Sequence, residues 1–381
     1  MKHTITKSAL VLGLLAGAAL LFAPTQPRAR ADEIPEKYRK AVEKGLEWLA
    51  SKQNEKGFWG ANGDQYPVSM TGLAGMALLM EGSTIKEGKY APQIRKAVEW
   101  LMDKSQDGAR DGLIGDPNIP TEAGRYMYGH GFATLFLASV YGDETDPKKR
   151  EKLKDILTRA VKYIGNAQSS QGGWYYTAKG DNNPDQDEGS VTITQLQALR
   201  ACRNAGIPVP KDIINKAVDY LKHSTTEKGG VVYSLGRGGM KAPVGGERPA
   251  LTAAAISCGF SAGEYKSELC KKWLKYCQTA IPIGGGGARI GHDEYTHYYY
   301  AQALYILGDK GWENLFGPTP EDQRLTWTKY RDSMGEKLLQ MQAQDGSFPS
   351  GGGFSVGTVY STSVYLTILQ LDKGVLPIYQ R

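Results

Sequence analysis

The chain has 381 residues, of which 46 are basic and 40 acidic, giving a formal net charge of +6. Lys2, Lys7, Arg28 and Arg30 fall in the first 31 residues, which contain no acid, so most of that charge belongs to the amino-terminal segment. The remainder is near neutral and has no Lys/Arg run interleaved with aromatics, which excludes a nucleic-acid binder; four cysteines are too few to staple an exported fold of this length.

In chain order, Lys2, His3 and Lys7 make a basic start, Ala9 to Ala23 is a short apolar run, and Ala29-Arg30-Ala31 presents small residues where a signal peptidase reads. We expect a signal peptide over 1–31, cleavage near Ala31, export, and one domain over 32–381. Membrane association is not required, and no feature specifies an oligomeric state.

Six charged, one-face-apolar helices are then predicted, at 41–53, 97–106, 160–168, 217–224, 270–278 and 335–344. Between them fall six nearly uncharged segments rich in Gly, Ala, Ser and Thr, at 68–80, 126–141, 190–202, 249–260, 295–307 and 358–371. A helix apolar on all sides is buried, and a helix with one charged face is half in water. Alternation of the two kinds marks a helical repeat protein, and six pairs are enough to close a ring. The predicted fold is all-α, an (α/α)6 toroid of six inner and six outer helices. Outer-to-inner loops are long and Gly-rich, so function is expected at the end of the barrel where they gather. Cys202 and Cys258 hold matching positions in consecutive repeats, as a bridge or as buried thiols.

At the joints the chain reads QNEKGFW (53–59), QSSQGGW (168–174) and QAQDGSF (342–348), all Gln-x-x-x-Gly-x-aromatic. The Gln is expected to bond the orphan carbonyls of its own helix end, the Gly to take a left-handed turn, and the aromatic to lock back on apolar surface. Three such joints on six helix pairs resemble the repeat of the squalene cyclases and of the protein prenyltransferase β subunits. The resemblance implies a squalene cyclase-like α/α toroid with a single barrel. It also points to Asp185-Gln186-Asp187-Glu188-Gly189-Ser190, which is similar to the cyclases' Asp-x-Asp-Asp-Thr-Ala motif at Asp185 and Asp187 but has Glu188, Gly189 and Ser190 in the last three places. His297 resembles the prenyltransferase zinc histidine, yet no Cys stands in the GERPALTA stretch where a companion ligand would be.

Three readings of the acidic loop stay open. Its last acids can favour the positive end of an inner helix, with Ser190 as cap. Oxygen donors at Asp181, Asn183, Asp185 and Asp187 recur every second residue, as in a calcium loop, although Gln186 replaces the Gly such loops need. Or Asp185 and Asp187 crowd each other so that one keeps its proton and serves as a general acid, with Glu188 beside them. Tyr126, Tyr128 and His130 at one inner helix, and Tyr295, His297 and Tyr298 at another, are candidates for a ligand-binding aromatic mouth; a metal at His292, Asp293 and His297 is a further alternative, and no metal is assigned. The leading function is an exported toroid that binds a hydrophobic small molecule or a glycan in the barrel mouth. The alternative is a terpene cyclase-like or glycan-active enzyme with Asp187 as acid.

Overall fold

The computed structural model describes residues 34–181, 185–236, 242–284, 292–350 and 356–380. In chain order its helices are α1 (Glu36–Ser51), α2 (Pro67–Leu79), α3 (Ala91–Met102), α4 (Tyr126–Val140), α5 (Pro147–Ala167), α6 (Gly189–Asn204), α7 (Lys211–Ser224), α8 (Pro249–Ala262), α9 (Glu268–Ala280), α10 (Asp293–Leu307), α11 (Gly311–Phe316), α12 (Trp327–Met341) and α13 (Thr358–Leu369). A small antiparallel hairpin, β1 (Val232–Ser234) and β2 (Val244–Glu247), lies in the loop between α7 and α8. The hairpin and α11 are not among the expected elements; both are insertions on the repeat.

The two kinds of helix behave as their patterns require. In α5 the buried residues Leu153, Ile156, Leu157, Ala160, Val161 and Ile164 recur every third or fourth position, and the charged face stays in water. Each such Leu or Ile contributes about 1.5–3 kcal/mol by leaving water. In α2 every residue is buried. Small residues there set the spacing: a Cβ on Gly72 would stand 2.6 Å from the backbone of Phe132 in α4, so any larger side chain would push the two helices apart.

The inner helices α2, α4, α6, α8, α10 and α13 each pack on the next, and α13 returns to α2, so the ring is closed. Across the closure Gln370 Nε2 donates to the Ala77 carbonyl at 3.0 Å and Lys373 Nζ to that of Glu81 at 2.8 Å. The turn Pro377–Tyr379 packs against α6 and α10, with the hydroxyls of Tyr298 and Tyr379 at 3.3 Å. This is the (α/α)6 toroid expected from the repeat. Among the described residues no helix is long and apolar enough to cross a membrane.

The joints correct one expectation. Each Gln bonds the carbonyl of its own turn glycine and a carbonyl of the next outer helix, rather than orphan carbonyls of the helix it ends. Gln53 Nε2 reaches Gly57 and Gln93, both at 2.9 Å; Gln168 reaches Gly172 at 2.8 Å and Ile213 at 3.0 Å; Gln342 reaches Gly346 at 2.9 Å and Ala41 at 2.8 Å. The glutamine is thus a suture between neighbouring outer helices, and Gln342 to Ala41 sews the last to the first. The turn glycine is required twice over: Gly172 has φ +95°, and a Cβ there would stand 2.2 Å from the Lys216 carbonyl of α7. The indoles of Trp59 and Trp174 return to the Leu49 and Ile164 carbonyls at 2.7 and 2.8 Å, which supplies the lock. All four cysteines are free and buried, so Cys202 and Cys258 are not bridged.

Candidate active site

Because every inner helix follows a long loop, the amino-terminal ends of all six meet at one end of the ring, and they enclose a cavity of about 600 Å³. Tyr66, Ser69 and Met70 come from α2 and its approach, Tyr126, Tyr128 and Phe132 from α4, and Glu188 and Ser190 from α6. Arg248 and Leu251 come from α8, His292 to Tyr295 from α10, and Val356 and Tyr360 from α13. The loops add Glu122 and Arg125 before α4, Tyr176 before α6, and Tyr233 from β1. Two of the four described non-glycine residues with positive φ, Tyr66 (51°) and His292 (58°), sit on this rim. Such backbone costs on the order of 1–3 kcal/mol per residue and is held where the surroundings impose it.

Two buried carboxyl groups face the cavity in different surroundings. Glu122 is 2% exposed; its Oε1 accepts the Val68 N–H at 2.8 Å, at the first turn of α2, and its Oε2 has no hydrogen-bond partner. Burial pushes this carboxyl up to about 7, against the pull of the Val68 and Asp116 N–H groups. Glu188, also 2% exposed, caps α6: its Oε2 accepts the Val191 N–H at 3.0 Å and the Ser190 hydroxyl at 2.5 Å. Ser190 in turn hydrogen-bonds the Tyr128 hydroxyl, so a relay of three side chains ends on the Glu188 carboxylate. Burial raises Glu188 as well, opposed by Ser190 and Val191. Tyr128 is pushed well up by burial and then by the Glu188 charge, so its hydroxyl stays protonated and serves as a donor.

Of the acids expected to act, only Glu188 lines the cavity. Asp187 is 1% exposed, and its Oδ1 accepts the Leu235 N–H at 2.9 Å, away from the cavity lining. Asp185 accepts the Ser170 N–H at 2.8 Å and pairs with Lys179 at 3.3 Å; burial would raise its carboxyl, but these partners bring it below the usual value. No hydrogen bond joins the two aspartates, although the Asp185 charge adds to the burial that raises Asp187. Of the loop's other oxygen donors, Asp181 is held by Arg110 at 3.0 Å and by the Tyr126 hydroxyl at 2.7 Å, while Asn183 lies outside the described residues. Of the aromatic and histidine candidates, Tyr126, Tyr128 and Tyr295 line the cavity.

Three others do not. His130 is fully buried, accepts the Ile114 N–H at 3.0 Å, and is pushed down to about 4 by burial, which makes it a neutral core histidine. His297 lies between the Tyr330 hydroxyl at 2.9 Å and Asp293 at 3.4 Å. Tyr298 is buried, with its hydroxyl 3.3 Å from that of Tyr379. Asp293 also pairs with Lys337 at 2.9 Å, and although burial opposes it, these contacts bring its carboxyl down to about 2. Among the described residues no group of three or more His, Cys, Asp or Glu is placed to hold a metal.

Sequence reasoning missed Glu122, Arg125, Tyr176, Tyr233 and Arg248. The two arginines carried a readable signal. Each stands at the N-cap of an uncharged inner helix, where Ser, Thr, Asp or Asn is preferred.

No protein-family model matches the chain. The chain is 28% identical over 224 residues to the squalene–hopene cyclase of Alicyclobacillus acidocaldarius, a match covering 51% of this chain and 33% of that protein. It thus spans about a third of the length of the curated relative it matches. Among solved structures, the unsaturated glucuronyl hydrolase of Bacillus sp. GL1 superposes with a TM-score of 0.61 at 14% identity, covering 90% of this chain and 99% of that one. The α-1,6-mannanase GH76A of Salegentibacter sp. HEL1_6, as an inactive double-aspartate variant with α-1,6-mannotriose, superposes at 0.60 with 10% identity over 87% and 99%. The type II terpene cyclase MstE of Scytonema, with geranylgeranyl dihydroxybenzoate, does so at 0.53 with 14% identity over 88% and 97%. The fold is an (α/α)6 toroid, which this chain shares with those terpenoid and glycan enzymes.

Proposed function

We propose that the chain is an acid–base enzyme acting on a glycan held in the six-helix cavity, with Glu122 as general acid and Glu188 as the partner carboxylate. The observation that carries this reading is the pairing of two buried carboxyl groups whose environments differ. Glu122 keeps one oxygen unpartnered and is raised to about 7, whereas Glu188, also raised by burial, accepts a helix N–H and the end of a hydroxyl relay that oppose that rise. Cleavage of a glycosidic bond asks for that division: one acid protonates the departing oxygen, and one carboxylate activates water or attacks the sugar. Tyrosine faces around the cavity suit the apolar faces of sugar rings, while the several ionisable groups on the lining suit hydroxyl-rich ligands. The glycan-active structural relatives support the substrate class.

A second reading, acid-initiated cyclisation of a terpenoid, is favoured by the sequence match to squalene–hopene cyclase. It needs one protonated acid, Glu122, and no second carboxylate. The test is turnover of a panel of oligosaccharides and polyprenoids by wild type, Glu122→Gln and Glu188→Gln. Glycan cleavage lost in both variants supports the first reading. Terpenoid conversion lost only in Glu122→Gln replaces it with the second, and no turnover by wild type sinks both. The same proposal keeps export with removal of 1–31, which N-terminal sequencing of the protein recovered outside the cytoplasm would check.

A further inference from the structure

The rim of the cavity carries two guanidinium groups that the acid–base reading does not use. Arg125 and Arg248 immediately precede α4 and α8, make no capping hydrogen bond there, and are exposed while lining the cavity. A cation at a helix amino terminus is in the wrong place electrostatically, because the helix dipole presents its positive end there. Neither arginine offsets that cost with an ion pair to a described carboxylate. Instead each guanidinium lies over a tyrosine ring of the cavity wall, Arg125 at 5.6 Å from the Tyr176 centroid and Arg248 at 5.5 Å from that of Tyr233. The two tyrosines are joined through their hydroxyls at 2.5 Å. The result is one connected unit, Arg125–Tyr176–Tyr233–Arg248, that spans from α4 to α8 across the opening of α6. Stacking on rings restrains the guanidiniums without neutralising them, so their charge and their N–H forks stay available. Two helix amino termini add to the same sign of potential. A local rule broken twice at one site, with no described carboxylate to neutralise either cation, points to a counter-charge that arrives from outside.

We propose that this unit recognises an anionic group on the ligand, a carboxylate or a phosphate, at the mouth of the cavity. The proposal rests on reading the cavity as the substrate site, and it narrows the ligand to an acidic glycan or an anionic prenyl compound. Charge is then arranged by depth. Protonatable carboxyls lie buried within, where the bond is broken, and fixed cations lie at the rim, where the ligand's negative end is held.

The test is calorimetric binding of matched probes to the full chain: a glucuronate-terminated disaccharide against its glucose counterpart, and a prenyl diphosphate against the prenyl alcohol. The charged member of one pair is expected to bind at least tenfold tighter. The double variant Arg125→Gln/Arg248→Gln is expected to erase that preference, the charged and neutral members of the pair then binding alike. Which pair shows the effect distinguishes a sugar carboxylate from a prenyl phosphate. Equal binding of charged and neutral members, a preference that survives in the double variant, or no binding by either anionic probe overturns the proposal. Repeating the titration with Glu122→Gln separates it from the catalytic reading: the anion preference persists there even though turnover is lost. A wild type that prefers anions but turns nothing over leaves this inference standing and removes the other.

Discussion

At the joint between α5 and α6, Gln168 donates to two carbonyls and the Trp174 indole to a third, all of them buried. At the cavity that begins fourteen residues further on, Glu122 keeps an unpartnered oxygen and two arginines pair with no described carboxylate. Both regions are made from the same outer-to-inner connections. The joint spends its polar groups on holding neighbouring repeats together, so it can be dissected by stability; the rim holds its polar groups ready for something else, so it should be dissected by activity. If that contrast is right, substitutions in one region leave the other region's readout unmoved.

The largest effect is expected at Glu122. Glu122→Gln removes the proton donor and should lower turnover by roughly 10²–10⁴-fold, the range for loss of a positioned general acid. Wild-type activity should fall as pH rises through about 7, where Glu122 gives up its proton, and the variant should lose that limb. Stability should fall with rising pH as well, over a lower window. Below about 4.5 the folded and unfolded chains both hold this proton; between 4.5 and about 7 only the unfolded chain releases it, so wild-type stability falls across that window. The loss amounts to about 3 kcal/mol by about pH 7 and above. Glu122→Gln has no such charge to bury, so its stability should fall less steeply with pH over the same range, by the Glu122 share of the slope. An unchanged slope in the variant would show that Glu122 is ionised in the fold.

Next in size is Gly172→Ala. The new methyl meets the Lys216 carbonyl, and the residue must keep φ +95°, so the loss of stability should be about 3–5 kcal/mol by denaturant unfolding. Gln168→Ala should cost less, about 2 kcal/mol, since it strands the Gly172 and Ile213 carbonyls but adds no clash. In both variants the protein that remains folded should keep wild-type turnover. A joint substitution that alters KM or kcat in proportion to its stability cost would erase the contrast between joint and rim.

The fold was legible because it is written in composition and period. Six charged and six uncharged helices, with small residues such as Gly72 where backbones meet, leave few architectures open, and the described helix ends differ from the expected ones mainly by extension toward their amino termini. The joint was legible in its glycine and tryptophan and misread in its glutamine, because the partner carbonyl lies 45 residues away in α7 for Gln168 and at the other end of the chain for Gln342. The cavity was legible only in part. Tyr126, Tyr128 and Tyr295 begin inner helices and so had to lie at that end, but His130 is two positions beyond Tyr128 and already within the packed core. Glu122, Tyr176 and Tyr233 come from loops whose paths no periodicity predicts. The insertion of a hairpin that carries Tyr233 to the cavity leaves no mark in the repeat.

The smallest effect is expected where sequence reasoning placed the largest. Glu188 has extended backbone, φ −157° and ψ 134°, and successive side chains along extended chain point to opposite sides. Asp187 and Glu188 are therefore divided between the two regions: one turns to the Leu235 N–H in the joint's surroundings, the other to the cavity. From the sequence, either parity was open. Asp187→Asn keeps an oxygen to accept from Leu235 and removes a carboxylate that burial already disfavours, so stability should change by no more than about 1 kcal/mol and turnover by less than about twofold. Glu188→Gln, one residue on, should cost activity on the scale of Glu122→Gln. Measured side by side, the two variants ask whether a single peptide unit separates scaffold from chemistry. A large loss of turnover in Asp187→Asn with Glu188→Gln unaffected would reverse the assignment and return the acid to the position that the cyclase resemblance implied.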